Sequence, residues 1–356
     1  MGEEMIVTKC KIIQEDIEHI VQDGVIEWEQ FRGSSVLVTG ATGLIGRQMI
    51  MSLLLANDQK KLNLRVIAVV HSVQRAKHVF SELLENEHLI FVEQDIKEVI
   101  SYAGAVDFII HAASVTASKE FVERPVETIE TAYSGCHNIL QFARDKHIRA
   151  GVFLSSMEIY GVSEKKLLTE NDYGYLDHVN VRSSYSEGKK LCECLCSSYW
   201  KEYKVPFKIA RLTQTFGPGV EKEDNRVFAQ FAKAVLQKEN IVLFTEGKTV
   251  RNYCYIADAI KAILLILLKG DSGQAYNVAN MKTEISIYDM AIMLTKEYNE
   301  GKKCVEIRQE QAEKYGYNPV SRTCIDSSKL MRLGWVPQVG LKEAYDRMIR
   351  AMEYMM

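Results

Sequence analysis

No stretch of this 356-residue chain is apolar for long enough to cross a lipid bilayer. The longest candidates, Ile263 to Leu268 and Met49 to Ala56, fall far short of the roughly 18 to 20 residues required and read as buried helices. The opening MGEEMIVTKCKIIQEDIEHI is acidic and lacks an uninterrupted apolar core, which excludes a signal or transit peptide and makes the cytoplasm the expected location. Nor is there a basic block. The formal net charge is −3, with lysine and arginine scattered among acids, so a nucleic-acid surface is excluded and small molecules are the expected partners. Internal repeats and low-complexity segments are absent as well. Cysteine, by contrast, is plentiful. Cys192, Cys194 and Cys196 alternate along one helix, so that Cys192 and Cys196 share a face while Cys194 points away. A single metal cannot easily collect all three, so the cysteines read as a reduced, structural set and no metal site is expected.

At 47% apolar and 26% charged, the chain is long enough for one large or two unequal domains around a substantial core. Residues 1–32 form a polar extension in which Ile13, Ile17, Ile20 and Val21 follow helical spacing, predicting one helix packed on the outside of the fold. Strand-like runs then alternate with helical ones. Ser35 to Thr39, Leu64 to Val70, Leu89 to Val92, Val106 to His111 and Gly151 to Ser155 read as strands, separated by helices at Leu44 to Ala56, Gln74 to Glu85 and Val126 to Lys146. This rhythm predicts an α/β fold, a doubly wound parallel sheet spanning residues 33–212. A helix carrying Tyr185 to Tyr203 and a strand at Phe207 to Leu212 close that region. Residues 213–356 make most of a smaller C-terminal α/β substrate domain, with a segment near 250–280 returning to the first.

Two constellations carry chemistry. TGATGLIG sets Gly40, Gly43 and Gly46 between a strand and a helix, with Thr42, Leu44 and Ile45 among them. Glycines there let the backbone approach a pyrophosphate, and the helix amino end offers free N–H groups and a favourable dipole. In SSYSEGKK, Tyr185 and Lys189 stand four apart, on one helix face. A phenol is a poor base at neutral pH, and an ammonium one turn away stabilises its anion. Ser156, delivered by a separate strand end, can bind the oxygen whose proton the tyrosine removes, which completes a site for alcohol oxidation.

The remaining positions follow from the strand ends. His71 and Ser72 stand where an NAD site usually has an acid, with Arg75 and Lys77 just beyond. That suits a ribose phosphate at least as well as a free ribose, and a solvated helix start equally, so NAD and NADP both stay open here. Asp95 and Ile96, after the third strand, are positioned to meet adenosine. HAAS places Ala112, Ala113 and Ser114 where small side chains let a cofactor lie against the chain, with His111 as a packing residue.

TGATGLIG, HAAS, SSMEIYG and YSEGK, in this order and at these separations, resemble the extended short-chain dehydrogenase/reductase family, and within it the nucleotide-sugar epimerases, dehydratases and decarboxylases. RLTQTFGPG, RNYCYIADA, AYNVAN and DSSKLMRLGWVP extend the resemblance from residue 34 or so to residue 340 or so. It implies a Rossmann-type sheet, NAD as cofactor with NADP as the alternative, and a nucleotide-sugar substrate oxidised at its fourth carbon. By the same resemblance Tyr185 is the base, Lys189 holds the nicotinamide ribose and lowers the phenol's pKa, and Ser156 binds the reacting hydroxyl. Glu158 stands where dehydratases and decarboxylases of this branch carry glutamate, suited to remove the proton next to the new carbonyl. Met157 replaces the aspartic acid with which one dehydratase group protonates its departing hydroxyl, whereas decarboxylation needs no such acid. Arg251 and Arg322 are the expected ligands of a diphosphate or carboxylate, and Gln214 replaces the branch's common asparagine. The expected function is therefore a nucleotide-sugar dehydratase or decarboxylase with internally recycled cofactor. The alternatives are a 4-epimerase or a plain NAD(P)-dependent oxidoreductase. Dimerisation through the helices at 126–146 and 185–203 is a further family expectation.

Overall fold

The computed structural model describes residues 5–298, 304–308 and 320–354. Strands β1 (Ser35–Thr39), β2 (Arg65–Val70), β3 (Leu89–Glu93), β4 (Phe108–His111), β5 (Ala150–Ser156) and β6 (Phe207–Leu212) are mutually parallel. Beyond them come β7 (Gln214–Phe216), β8 (Ile241–Leu243), β9 (Val250–Tyr255) and β10 (Ala275–Val278), and then β11 (Asn280–Ser286), β12 (Val305–Ile307) and β13 (Arg322–Thr323). Of these β10 returns beside β6, completing a seven-stranded sheet of order β10-β6-β5-β4-β1-β2-β3. The order reverses between β1 and β4. At such a switch point the connections leave in opposite directions and open a crevice beyond the carboxyl ends of the strands.

The helices are α1 (Lys11–Gln22), α2 (Leu44–Lys60), α3 (Val73–Val79), α4 (Ser118–Glu123), α5 (Pro125–Lys146) and α6 (Ser184–Tyr203), followed by α7 (Val227–Leu236), α8 (Ile256–Lys269), α9 (Ile287–Tyr298), α10 (Ser328–Met331) and α11 (Leu341–Tyr354). Alternation along β1 serves both faces of the sheet. Val36 and Val38 join the core under α2 and α8, while Leu37 packs with Ile139 and Leu140 of α5 and with Cys192 and Cys196 of α6. Proline at the first turn of α5 sits where its missing N–H goes unneeded. The helix expected over Gln74 to Glu85 is shorter, because Phe80 leaves helical geometry (φ −111°, ψ 33°) to bury its ring against Phe91, with a 3₁₀ turn following at Ser81–Leu83.

The spacing read in the extension is realised in α1, whose Ile13, Ile17, Ile20 and Val21 are all buried. Arg347 of α11 pairs with Asp16 at 2.9 Å and donates to the Tyr255 hydroxyl at 2.9 Å, and Tyr255 in turn donates to Asp16. Burial pushes the Asp16 carboxyl up to about 6 despite these partners. The amino-terminal helix is thereby tied to β9 and to the last helix of the chain. A second, smaller sheet has the order β11-β9-β13, with β7 also paired to β9.

Candidate active site

β1 ends at Thr39, and the chain turns through Gly40 to Gly43 into α2. Gly40 has φ +64°, and a Cβ there would lie 2.8 Å from the Ala112 and Ala113 backbone. Glycine thus lets the loop pass close over the end of β4. A Cβ on Gly46 would meet the Gly40 carbonyl oxygen at 2.2 Å, so the first turn of α2 folds onto the loop only with glycine at that position. Thr39 Oγ1 accepts from the N–H groups of both Ala112 and Ala113 at 3.1 Å, so its own proton goes to His111 Nδ1 at 2.8 Å. The imidazole therefore carries its proton on Nε2. Burial, seconded by Lys189, holds the His111 pKa down to about 3, so the ring is a neutral strut for the loop.

Above this junction lies a cleft of about 580 Å³. Gly40, Thr42, Gly43, Leu44, Ile45 and Gly46 form its floor, His71, Asp95 and Ile96 one end, and Ala112, Ala113 and Ser114 the wall beneath the centre. Ser72 stays outside it and caps α3, accepting from the Arg75 N–H at 3.3 Å. The groups fit a dinucleotide. The amino end of α2 opens onto the glycine loop with no acid in its first turn, and an acid and an apolar residue wait at the far end of the floor.

The other end is built by one face of α6. Tyr185, Lys189 and Glu193 recur every four residues and meet β5 in sequence. The Ser156 hydroxyl hydrogen-bonds Tyr185, Lys189 Nζ donates to the Leu154 carbonyl at 2.7 Å, and Ser155 Oγ donates to Glu193 at 2.5 Å. Glu193 is also paired with buried Arg211 of β6 at 2.7 Å, which locks the helix against two strands. Tyr185 stacks on Phe121, with ring centroids 4.3 Å apart and planes 8° from parallel, and keeps an edge open to the cleft.

The electrostatics differ from the sequence expectation. Low-polarity surroundings first, and the Glu158 charge second, push the Tyr185 phenol above its ordinary range, while Ser156, Arg226 and Arg182 pull it back. The Lys189 ammonium is held by the Leu154 carbonyl, 5.8 Å from the Tyr185 ring centroid, and burial lowers its own pKa.

Glu158 lines the cleft at the foot of Tyr185 and is paired with Arg182 at 3.0 Å, both side chains less than 15% exposed. Arg182 also lies over the Phe121 ring at 4.8 Å. Met157 is buried, with the Thr213 hydroxyl 3.1 Å from its sulfur, and Gln214 lines the cleft beside it. Arg251 and Arg322, on β9 and β13, are not among the lining residues. Arg322 is engaged by Glu284, and the Arg251 Nε is buried without a hydrogen-bond partner. Arg226, held by Asp224 at 3.0 Å, does line this end. Sequence reasoning missed Thr39, Phe121, Arg182 and Arg226. Only Arg182 carried a signal, three residues before Tyr185 inside VRSSYSEGKK.

A parallel sheet with this strand order and a glycine loop at its switch point define a Rossmann-type dinucleotide-binding fold. The chain belongs to the NAD dependent epimerase/dehydratase family, whose model matches residues 36–279. Among its relatives, UDP-glucuronic acid decarboxylase 1 of Xenopus tropicalis is 27% identical over 315 residues, covering 88% of this chain and 71% of that protein. UDP-glucuronic acid decarboxylase 6 of Arabidopsis thaliana is 28% identical over 309 residues, covering 86% and 85%. In fold, the chain is similar to a dTDP-glucose 4,6-dehydratase of Streptomyces venezuelae solved with NAD bound, at a TM-score of 0.76 and 22% identity, covering 90% of this chain and 97% of the other. Among the described residues no helix is long and apolar enough to cross a membrane, and no group of His, Cys, Asp and Glu could hold a metal.

Proposed function

We propose that this protein oxidises a nucleotide-linked sugar at its fourth carbon, releases carbon dioxide from the resulting β-keto acid, and reduces the ketone again within one catalytic cycle. The observation that carries this reading is the convergence of Ser156, Tyr185 and Glu158 at one end of the dinucleotide cleft, with a thioether at the neighbouring position. Ser156 orients the sugar hydroxyl and Tyr185 takes its proton. NAD, when bound, accepts the hydride from the carbon and is the source from which it returns. Met157 offers no proton to a departing hydroxyl, which disfavours dehydration, whereas carbon dioxide leaves a β-keto acid unaided. The similarity to UDP-glucuronic acid decarboxylases over most of the chain supports the same choice. The lobe from residue 213 onward, with Gln214 and Arg226 on the cleft, is assigned to the nucleotide sugar. Incubation with a panel of nucleotide sugars, read by product mass, is the test. Loss of carbon dioxide from a uronic acid is expected, loss of water would replace the reading by dehydration, and unchanged mass with an altered sugar would replace it by epimerisation.

We further propose a homodimer. Val126, Ile129 and Tyr133 form an exposed stripe along α5, flanked by Leu191 and Tyr203 on α6. Sedimentation of the native chain is expected to give a dimer, and Ile129→Glu, which buries a charge at the centre of that face, a monomer. The eight cysteines are all unbridged, consistent with a reducing cytoplasm.

A further inference from the structure

Arg182 stands in the 3₁₀ turn Val181–Ser183 that leads into α6, three residues before Tyr185. The Asn180 side chain accepts from its N–H at 2.9 Å, and the Ser183 hydroxyl donates to the Asp177 carbonyl at 2.7 Å, so the turn is fixed although Val179 and Val181 are exposed. The guanidinium donates to Glu158 at 3.0 Å and lies 4.8 Å from the centre of the Phe121 ring. Phe121 in turn stacks on Tyr185, and the Ser184 hydroxyl donates to the Phe121 carbonyl at 3.0 Å, which ties α4 to the amino end of α6. Arg182 is not among the residues lining the cleft, whereas Glu158, Phe121 and Tyr185 all are. A cation set behind the cleft wall therefore bears on both groups assigned to proton transfer within it.

We propose that Arg182 is a positioning residue for both proton transfers of this site: it holds the Glu158 carboxylate in a fixed place beside Tyr185 and, through the Phe121 ring, keeps the phenol in line with it. With the Arg182 and Glu158 side chains both less than 15% exposed, water and salt screen the pair less than they would at the surface. The electron-rich face of Phe121 attracts the same guanidinium. A planar, forked cation can serve a carboxylate and an aromatic face together, which a compact ammonium does less well. The placement also balances charge around the phenol. Glu158 raises it, Arg182 and Arg226 lower it, and Lys189 of its own helix is held by the Leu154 carbonyl. The inference rests on oxidation at the fourth carbon, the first step of the cycle proposed above, and not on the step that follows.

The test compares Arg182→Gln and Arg182→Lys with wild type in single-turnover oxidation of UDP-glucuronic acid or UDP-glucose, read as nicotinamide absorbance across a pH series. Arg182→Gln is expected to slow oxidation at neutral pH about tenfold or more, with the dissociation constant for the nucleotide sugar within about threefold of wild type. It is also expected to displace the pH dependence to higher pH, opposite to Glu158→Gln, because the carboxylate is left unopposed beside the phenol. Arg182→Lys is expected to restore the wild-type pH dependence but only part of the rate, since it keeps the charge and loses the fork. An Arg182→Gln pH dependence equal to that of wild type, or displaced to lower pH, overturns the proposal, as does a loss of affinity that accounts for the whole loss of rate. Should the glutamine variant fail to fold, the lysine variant decides: a reduced rate at unchanged affinity supports positioning, and a wild-type rate overturns it. Oxidation precedes decarboxylation, dehydration and epimerisation alike, so a different product leaves the comparison standing.

Discussion

Tyr185→Phe is expected to lower kcat about a thousandfold while the dissociation constant for the nucleotide sugar changes by no more than about threefold. The substitution removes one hydroxyl and nothing else. The ring that stacks on Phe121 at 4.3 Å is retained, so the contact that places residue 185 survives, as do the Lys189 and Glu193 contacts that fix α6 on β5. Lys189 is held by the Leu154 carbonyl and Ser156 Oγ accepts from the Glu158 N–H, which leaves the phenol as the group of the three suited to take the proton of the sugar hydroxyl. A thousandfold corresponds to about 4 kcal/mol of transition-state stabilisation, within the range for a positioned proton acceptor. Steady-state product formation and calorimetric binding separate the two quantities. Retained turnover would remove Tyr185 from the mechanism. The wild-type rate of the first, oxidative half-reaction is also expected to rise with pH, because burial and Glu158 hold the phenol above its ordinary range and only its anion accepts a proton.

The parts of the molecule legible in sequence are those fixed by local pattern. A five-residue apolar strand followed by a glycine triplet and a helix leaves one arrangement, and the structure has it: β1, the loop and α2. Tyr185 and Lys189 were legible for the same reason, since i, i+4 spacing fixes a shared face whatever the tertiary context. What the spacing could not show is where the ammonium points. That depends on Leu154 of β5, distant in the chain, whose carbonyl accepts a hydrogen bond from the ammonium. Phe80 shows the same limit in the fold, because helical spacing continues through it while its ring is drawn into the core beside Phe91. Arg251 and Arg322 were read as anion ligands from their residue type; they are not among the residues lining the cleft, whereas Arg226, in a loop without periodicity, is. Long-range pairing decides such positions, and a single sequence does not encode it in any local period.

Glu158→Gln is expected to separate the two halves of the cycle. The carboxylate is paired with Arg182 at 3.0 Å and raises the Tyr185 phenol, so its neutral replacement leaves Arg182 to act on the phenol unopposed. Both changes move the phenol's pKa down. The oxidative half-reaction should therefore persist and reach its plateau at lower pH than in wild type. The step after oxidation is different, because it proceeds at the carbon next to the new carbonyl, and Glu158 is the carboxylate on the cleft beside Tyr185 and Ser156 that can handle a proton there. Net turnover is expected to fall at least about a hundredfold, with a keto-sugar accumulating beside reduced cofactor to roughly one equivalent per site. Rapid quench with mass detection, paired with nicotinamide absorbance, measures both. Unchanged turnover with no trapped ketone would remove Glu158 from the step at the adjacent carbon and favour epimerisation, with the Glu158–Arg182 pair left to hold the end of β5.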